Sequence, residues 1–213
     1  MNLISLSRND GSEAIYGKYL VEMAENPQGC LIGCEMGVAW GGGVEYVGKL
    51  WKGKGFVFGF DTFEGHPKHL ALDCEFSKAA GGLESRAAKT MDWWYSRYGT
   101  ETLSYEYIRG ELDKQGLSNV ILIKGLITEN TDISFIPYLN YCFLDLDIPL
   151  SVKTAYNLIK DKLTPNAYLC LHDCVPEGHI HGLWEFYQDV KKSNLYDVLV
   201  EDPRTLLVVL RRR

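Results

Sequence analysis

The chain reads as an α/β fold, a mostly parallel central sheet flanked by helices with an antiparallel last strand. Three observations predict it. Cys30-Leu31-Ile32-Gly33-Cys34-Glu35 is an apolar run that ends in a carboxylate and then turns through Gly37, Gly41, Gly42 and Gly43. Gly55-Phe56-Val57-Phe58-Gly59-Phe60-Asp61 is a second such run, stopping at an acid about two dozen residues further on, the spacing of a strand-helix-strand unit. The alternation of strand and helix then continues to the end of the chain, which favours a parallel sheet covered on both faces.

The first run suits a buried strand, and Gly37 frees the backbone at the turn behind it. A helix from about Val44, with Val44, Val47, Leu50 and Trp51 on one face, presents its unpaired N–H groups at this turn, as a small-molecule site requires. An acid followed by glycines is by itself equally a tight turn. Asp61, at the end of the second strand, adds an acceptor for both hydroxyls of a ribose. A nicotinamide dehydrogenase requires G-x-G-x-x-G in the first turn, whereas this one reads Glu35-Met36-Gly37-Val38-Ala39-Trp40-Gly41, with a bulky Met where a pyrophosphate needs close approach. S-adenosylmethionine has no pyrophosphate.

Asn119 to Gly125 reads as a third strand and Tyr141 to Asp147 as a fourth. Ser151 opens a helix with Val152, Ala155, Ile159 and Leu163 on one face, stopped by Thr164-Pro165-Asn166. A fifth strand, Ala167 to Leu171, ends in His172-Asp173-Cys174. The first, fourth and fifth strands are expected side by side at the sheet centre. A helix carrying Leu183, Phe186, Tyr187 and Val190 leads to Tyr196–Val200 and Thr205–Arg211, which are close enough to pair as a terminal hairpin. Sites of such sheets lie outside the strands' carboxyl ends, where Glu35, Asp61, Asp145, Asp147 and Asp173 converge.

The 213 residues suit one domain, with a cofactor-binding half over 12–61, an insertion over 62–118 and an acceptor-side half over 119–213. Hydrophobic residues at 46% and charged residues at 23% are those of a globular protein, without repeats. Met1 to Ser12 reads as a mobile or lid-like arm and Arg211-Arg212-Arg213 as a solvated tail. No targeting sequence or long apolar run is present, so the expectation is a cytoplasmic protein without a membrane partner. A net charge of −6 without a basic stripe argues against a nucleic-acid partner. The six cysteines are expected as thiols, with Cys30, Cys34, Cys142 and Cys170 inside strands and Cys174 at a strand's carboxyl end. Zinc is not expected, since no C-x2-C pair exists.

Four segments carry a resemblance. They are Cys34-Glu35-Met36-Gly37-Val38 with Gly41-Gly42-Gly43; Gly59-Phe60-Asp61-Thr62-Phe63-Glu64-Gly65-His66-Pro67; Leu144-Asp145-Leu146-Asp147 followed by Thr154; and Leu171-His172-Asp173 with the ending Leu206-Leu207-Val208-Val209-Leu210-Arg211. In these the chain resembles the class I S-adenosylmethionine-dependent methyltransferases, and among them the macrocin O-methyltransferase (TylF-like) group, which methylates sugar hydroxyls. The likeness spans about residues 12 to 211 and leaves Lys68 to Leu117 largely unaccounted for. It implies a Rossmann-like fold with S-adenosylmethionine as cofactor. Glu35 and the turn through Met36, Gly37, Val38 and Gly41 would hold its methionine part. Asp61, with Thr62 and Phe63 beside it, would hold the ribose, and the backbone at Gly125 and Leu126 the adenine. Asp145, Asp147 and Asp173 would bind magnesium or manganese at the acceptor. On the residues themselves, Asp145 and His172 are the expected catalytic groups. A sugar hydroxyl is a poor nucleophile until a base or metal ion takes up or polarises its proton. Two departures stand out: the paired acids of the fifth strand are His172-Asp173 here, and the usual Leu-Tyr after the second fourth-strand Asp is Ile148-Pro149.

His172 has three readings: a nitrogen ligand shifting the preference towards manganese or iron, a general base, or a histidine that only hydrogen-bonds at a strand end. Each aspartate could equally cap a helix or close a turn, Asp147 before Pro149 and Ser151 above all. His66-x2-His69 and His179-x-His181 have ligand-like spacing but read more simply as loop residues. Trp93, Trp94, Tyr95, Tyr98, Tyr105, Tyr107 and Ile108 form either an acceptor pocket or a packing face against the sheet or a neighbouring subunit, which leaves a homo-oligomer open. The expected function is O-methylation of a small-molecule hydroxyl, a sugar or glycoside, with metal assistance. The alternatives are a catechol-type phenol methyltransferase and a cofactor-binding protein without catalysis.

Overall fold

The computed structural model describes residues 11–65, 104–176 and 181–213. In chain order these form α1 (Ser12–Glu25), β1 (Leu31–Met36), α2 (Gly42–Leu50), β2 (Gly55–Asp61), α3 (Tyr105–Lys114), β3 (Val120–Lys124), β4 (Leu139–Leu144), α4 (Pro149–Ile159), β5 (Leu163–His172), α5 (His181–Lys192), β6 (Tyr196–Asp202) and β7 (Leu207–Arg212). The strands make one seven-stranded sheet in the order β3-β2-β1-β4-β5-β7-β6. The pairs β1–β2, β2–β3, β1–β4 and β4–β5 are parallel, while β7 runs antiparallel to both β5 and β6. β1, β4 and β5 therefore lie side by side, as expected, and the last strand is the antiparallel one.

Period-two alternation divides the core between the two faces of the sheet. On one face Ile32, Cys34, Met36, Phe60, Cys142, Leu144, Leu169 and Leu171 pack under Val152, Ala155 and Ile159 of α4 and Leu183, Tyr187 and Val190 of α5. On the other, Leu31, Val57, Tyr141, Phe143 and Cys170 pack under Tyr16 and Leu20 of α1, Val44 and Val47 of α2 with the following Trp51, and Ile108 and Leu112 of α3. Each fully buried Val, Leu, Ile, Phe or Met among them contributes about 1.5–3 kcal/mol. Tyr105 and Tyr107 also pack on this second layer, which supports the packing reading for that part of the aromatic insertion. Trp93, Trp94, Tyr95 and Tyr98 lie outside the described residues, as do His66, His69, His179, Cys74 and the arm over residues 1–10.

Several local expectations are corrected. Helix α1 has no counterpart in the sequence reading: its buried stripe is short, with Tyr16, Leu20 and Ala24 set among Glu13, Lys18, Glu22 and Glu25. Cys30 precedes β1 and is exposed rather than inside the strand. Leu163 belongs to β5, not to the preceding helix, and Thr164-Pro165-Asn166 starts the strand instead of separating it from the helix. Register slips between Leu139 and Tyr141 of β4 at this point, so the ladder does not need the N–H that Pro165 lacks. α4 begins at Pro149, whose fixed φ suits the first helical turn, and its N-cap is Ile148 rather than Asp147. Among the described residues no helix is long and apolar enough to cross a membrane.

One contact holds the carboxyl ends of the central strands together. Gly37 follows β1 with φ 95°, and a Cβ there would fall inside the carbonyl of Asp145. Its N–H donates to Phe60 O at 2.9 Å, and the Asp145 N–H donates to Met36 O at 2.9 Å. Gly37→Ala combines a disallowed conformation with a backbone overlap, and is expected to lower unfolding free energy by at least about 3 kcal/mol or to prevent folding, as urea titration of the purified variant would read.

Candidate active site

Between β1 and α2 the chain takes three left-handed steps, at Gly37, at Ala39 (φ 48°) and at Gly41 (φ 83°). An alanine in that region costs about 1–2 kcal/mol, so something must hold it. Asp61 does so. Its Oδ2 accepts from the N–H groups of Val38 at 2.8 Å and Ala39 at 3.0 Å, and its Oδ1 from Phe63 N–H at 2.8 Å, with the Thr62 hydroxyl oxygen 3.3 Å away. The residue expected at the ribose therefore first organises the turns after β1 and β2. A ribose hydroxyl would have to share those oxygens, each of which has about two acceptor sites. Thr62 closes its own turn by donating to Gly65 O at 2.7 Å, and Phe63 (φ 53°) is buried edge-on against Tyr105.

Glu35 is buried, and its carboxylate lies where a Cβ on Gly43 would have to go. An acid is thus seated against the first turn of α2, where the helix dipole favours negative charge. Val38 is buried beside Gly59. Met36 turns its side chain into the core, so its bulk does not stand at the turn and the objection to a pyrophosphate loses its physical basis. Gly125 donates its N–H to Asp61 O at 2.9 Å, has open space where a side chain would be, and is followed by the exposed Leu126.

Asp145, His172 and Asp173 meet at the ends of β4 and β5. Phe143 pairs with Cys170 and Leu144 with Leu171, the last rung of the ladder, so Asp145 and His172 stand just past it, two residues beyond Phe143 and Cys170 and on their face. Glu35 and Asp61 share that face by the same alternation, being aligned with or two residues beyond Gly59 and Phe143. His172 Nδ1 lies 3.2 Å from Asp145 Oδ1 and 3.3 Å from Asp173 Oδ2. The three side chains each offer a ligand atom, all within 4.8 Å of one another. Asp147 stands outside that group, although its charge still acts on Asp173. Asp147 and Asp173 both have φ 57°, a conformation aspartate tolerates better than most residues.

Burial disfavours the imidazolium, but the charges of Asp145 and Asp173 and their hydrogen bonds outweigh it and raise the His172 pKa to about 11. Burial raises the Asp173 carboxyl above its usual range, against the lowering influence of His172. Cys174, expected at an open strand end, is fully buried, and burial pushes its thiol up. The sequence reading did not anticipate the strained backbone at Ala39 and Phe63, nor at Leu206 (φ 56°), which precedes the partner of His172, Leu207. Non-glycine residues carry no composition signal for such a conformation.

Solved structures share this arrangement of strands and helices. CalS11, a calicheamicin methyltransferase, matches at 17% identity over 97% of this chain and 80% of its own, with a TM-score of 0.68. The O-methyltransferase NovP matches at 17% identity over 92% and 78%, with a TM-score of 0.61. An O-methyltransferase from Bacillus cereus in complex with SAH matches at 14% identity over 100% and 85%, with a TM-score of 0.57. The fold is that of the class I methyltransferases. The same fold serves an rRNA methylase from Streptococcus thermophilus (15% identity, TM-score 0.54), so it does not by itself select an acceptor. No protein-family model matches the sequence, and no curated protein does.

Two outcomes test these assignments without any ligand. Asp61→Ala leaves three backbone N–H groups without their acceptor and is expected to cost about 2–4 kcal/mol in urea unfolding; an unchanged midpoint would refute the organising role. The pKa of His172 is higher folded (about 11) than unfolded (6.5), so its stabilising contribution is complete below pH 6.5 and is lost as pH rises towards 11. In metal-free protein, raising pH from about 6.5 to 8.5 should lower the stability of the wild type relative to His172→Asn by about 2 kcal/mol, measured by paired urea titrations.

Proposed function

We propose that the protein is an S-adenosylmethionine-dependent O-methyltransferase acting on a hydroxyl of a small molecule, a sugar or glycoside. The observation that carries this reading is the meeting of Asp145, His172 and Asp173 at the ends of β4 and β5, beside the turn that Gly37 and Asp61 organise, in a class I methyltransferase fold. That turn, with Glu35 against α2, is the seat proposed for the cofactor's methionine part. Asp61, Thr62 and Phe63 would border the ribose, and Gly125 and Leu126 the adenine. The sugar acceptor draws support from CalS11, which is a TDP-rhamnose 3'-O-methyltransferase, and from the resemblance in the Asp61–Gly65 segment. The net charge of −6 disfavours a nucleic acid in the same place.

The donor set fits a divalent ion. Neighbouring ligands on an ion with bonds of about 2.1 Å stand roughly 3 Å apart, which is the spacing of the His172 nitrogen from both carboxylates. Asp145, Asp173 and His172 would hold it, with Asp147 adding negative charge nearby. When bound, such an ion acidifies and orients an acceptor hydroxyl. The hydroxyl's O–H bond breaks, and the Asp145 carboxylate takes the proton and returns it to solvent. The oxygen attacks the methyl carbon in line, a C–O bond forms, and the C–S electron pair stays on sulfur, giving a methyl ether and S-adenosylhomocysteine.

Calorimetric titration with S-adenosylmethionine and S-adenosylhomocysteine, with NAD as control, tests the cofactor. Micromolar binding of both sulfur compounds is expected. Asp145→Asn should keep that affinity within about threefold while transfer to an accepted sugar falls by about 10²–10⁴. Failure of the wild type to bind either compound would overturn the assignment.

A further inference from the structure

Resting on the O-methyltransferase reading, we propose that His172 is a nitrogen ligand of the divalent ion, so that this site selects manganese, iron or cobalt over magnesium. Nδ1 is the atom that faces both carboxylates, at 3.2 Å and 3.3 Å, and these are separations of adjacent donors on one ion. Both ring nitrogens are buried, so the imidazole acts on what lies between Asp145 and Asp173 rather than on a hydroxyl arriving from solvent. Its position is set by the sheet: His172 is the last residue of β5, registered against Leu207 of β7, with its ring 6.3 Å from that of Phe143.

The consequence follows from ligand chemistry. Magnesium is hard, favours oxygen donors and keeps its waters, whereas imidazole suits manganese, iron and cobalt, whose affinities for nitrogen rise along the first transition series. A site with three carboxylates would present three negative charges and oxygen atoms only. Here one of the three is a neutral nitrogen when the ion is bound, so the site gives up charge attraction, which magnesium needs most, and gains a softer donor.

The test uses the whole chain stripped of metal by chelation. Manganese is titrated while the spectrum of the free aqua ion is followed by electron paramagnetic resonance, and magnesium is then added as competitor. In wild type the bound manganese should show nitrogen-14 modulation in spin-echo experiments, and both His172→Asp and His172→Gln should lose it. The excess of magnesium that displaces half of the manganese should be about tenfold or more greater in wild type than in His172→Asp. Circular dichroism establishes that each variant is folded, and the two variants differ in charge so that the failure of one leaves the other. Bound manganese without nitrogen modulation, or modulation that survives in a folded variant, overturns the ligand role. An unchanged magnesium-to-manganese ratio overturns the selectivity. Absence of manganese binding at millimolar concentration overturns both, and the calorimetric titration with S-adenosylhomocysteine then separates the two ideas: retained binding leaves the methyltransferase reading standing, and lost binding removes it as well.

Discussion

The backbone of Gly37 pressed against the carbonyl of Asp145 is the constraint on which the rest of the site depends. Through it the end of β1 touches the end of β4 with no side chain between them. The reciprocal bonds Gly37 N–H to Phe60 O and Asp145 N–H to Met36 O bring β2 into the same knot. Three strand ends thereby share one rigid turn. Asp61 extends it sideways by accepting from Val38, Ala39 and Phe63, and Gly125 joins by donating to the Asp61 carbonyl. The spacing between Asp61 and Asp145 is thus decided by main-chain contacts, which do not relax by rotamer change.

Strain gathers around this knot. Ala39, Phe63, Asp147, Asp173 and Leu206 all have positive φ and all lie in segments at the carboxyl end of the parallel strands; Asn166 and Asn194, the other such residues described, are of a type that adopts this conformation readily. Each costs on the order of 1–3 kcal/mol and persists only where the surroundings over-determine it. The layers on the two faces of the sheet supply that support, with Phe63 clamped by Tyr105 and the Gly37 turn backed by Leu146. A site that must hold two reactants in line gains from such pre-set geometry, since misplacement by about 1 Å is costly in rate.

Most of the sheet was legible in the sequence because its signals are strong ones. Apolar runs ending in Glu35, Asp61 and Asp145 mark parallel strands, and Val44, Val47 and Trp51 mark a crossover helix. The terminal hairpin was legible because two β-rich runs are separated by a short turn. Helix α1 was not, because three buried residues among charges make a weak stripe whose partner, Trp51 donating its Nε1–H to Leu20 O, is distant in sequence. The start of β5 was misread because Pro165 normally breaks regular structure, and only the slipped register of β4 reveals why the strand tolerates it. In the site, the apolar runs ahead of them put Asp145 and Asp173 at equivalent ends of adjacent strands, and each does follow the last residue of its strand. These runs could not foretell that Asp61 spends its oxygens on backbone, since that depends on the left-handed turns at Gly37, Ala39 and Gly41.

Charge balance favours the proposed cation between Asp145 and Asp173. Burial raises the proton affinity of Asp173, and the charges of Asp147 and Asp145 act in the same direction. In the proposed reaction they attract the cofactor's sulfonium but oppose the alkoxide that must form, because methyl transfer from sulfonium to alkoxide annihilates both charges. A site of carboxylates alone would favour the ground state over the transition state, which lowers rate rather than raising it. The His172 nitrogen resolves this. Protonated, it offsets part of the cluster's negative charge when no metal is bound, and the charges of Asp145 and Asp173 favour that form; in the proposed site it would be deprotonated and would give its lone pair to an ion carrying more positive charge than the proton it lost. In either state positive charge would sit at Nδ1 or within bonding distance of it, between the Asp145 and Asp173 carboxylates that face that nitrogen.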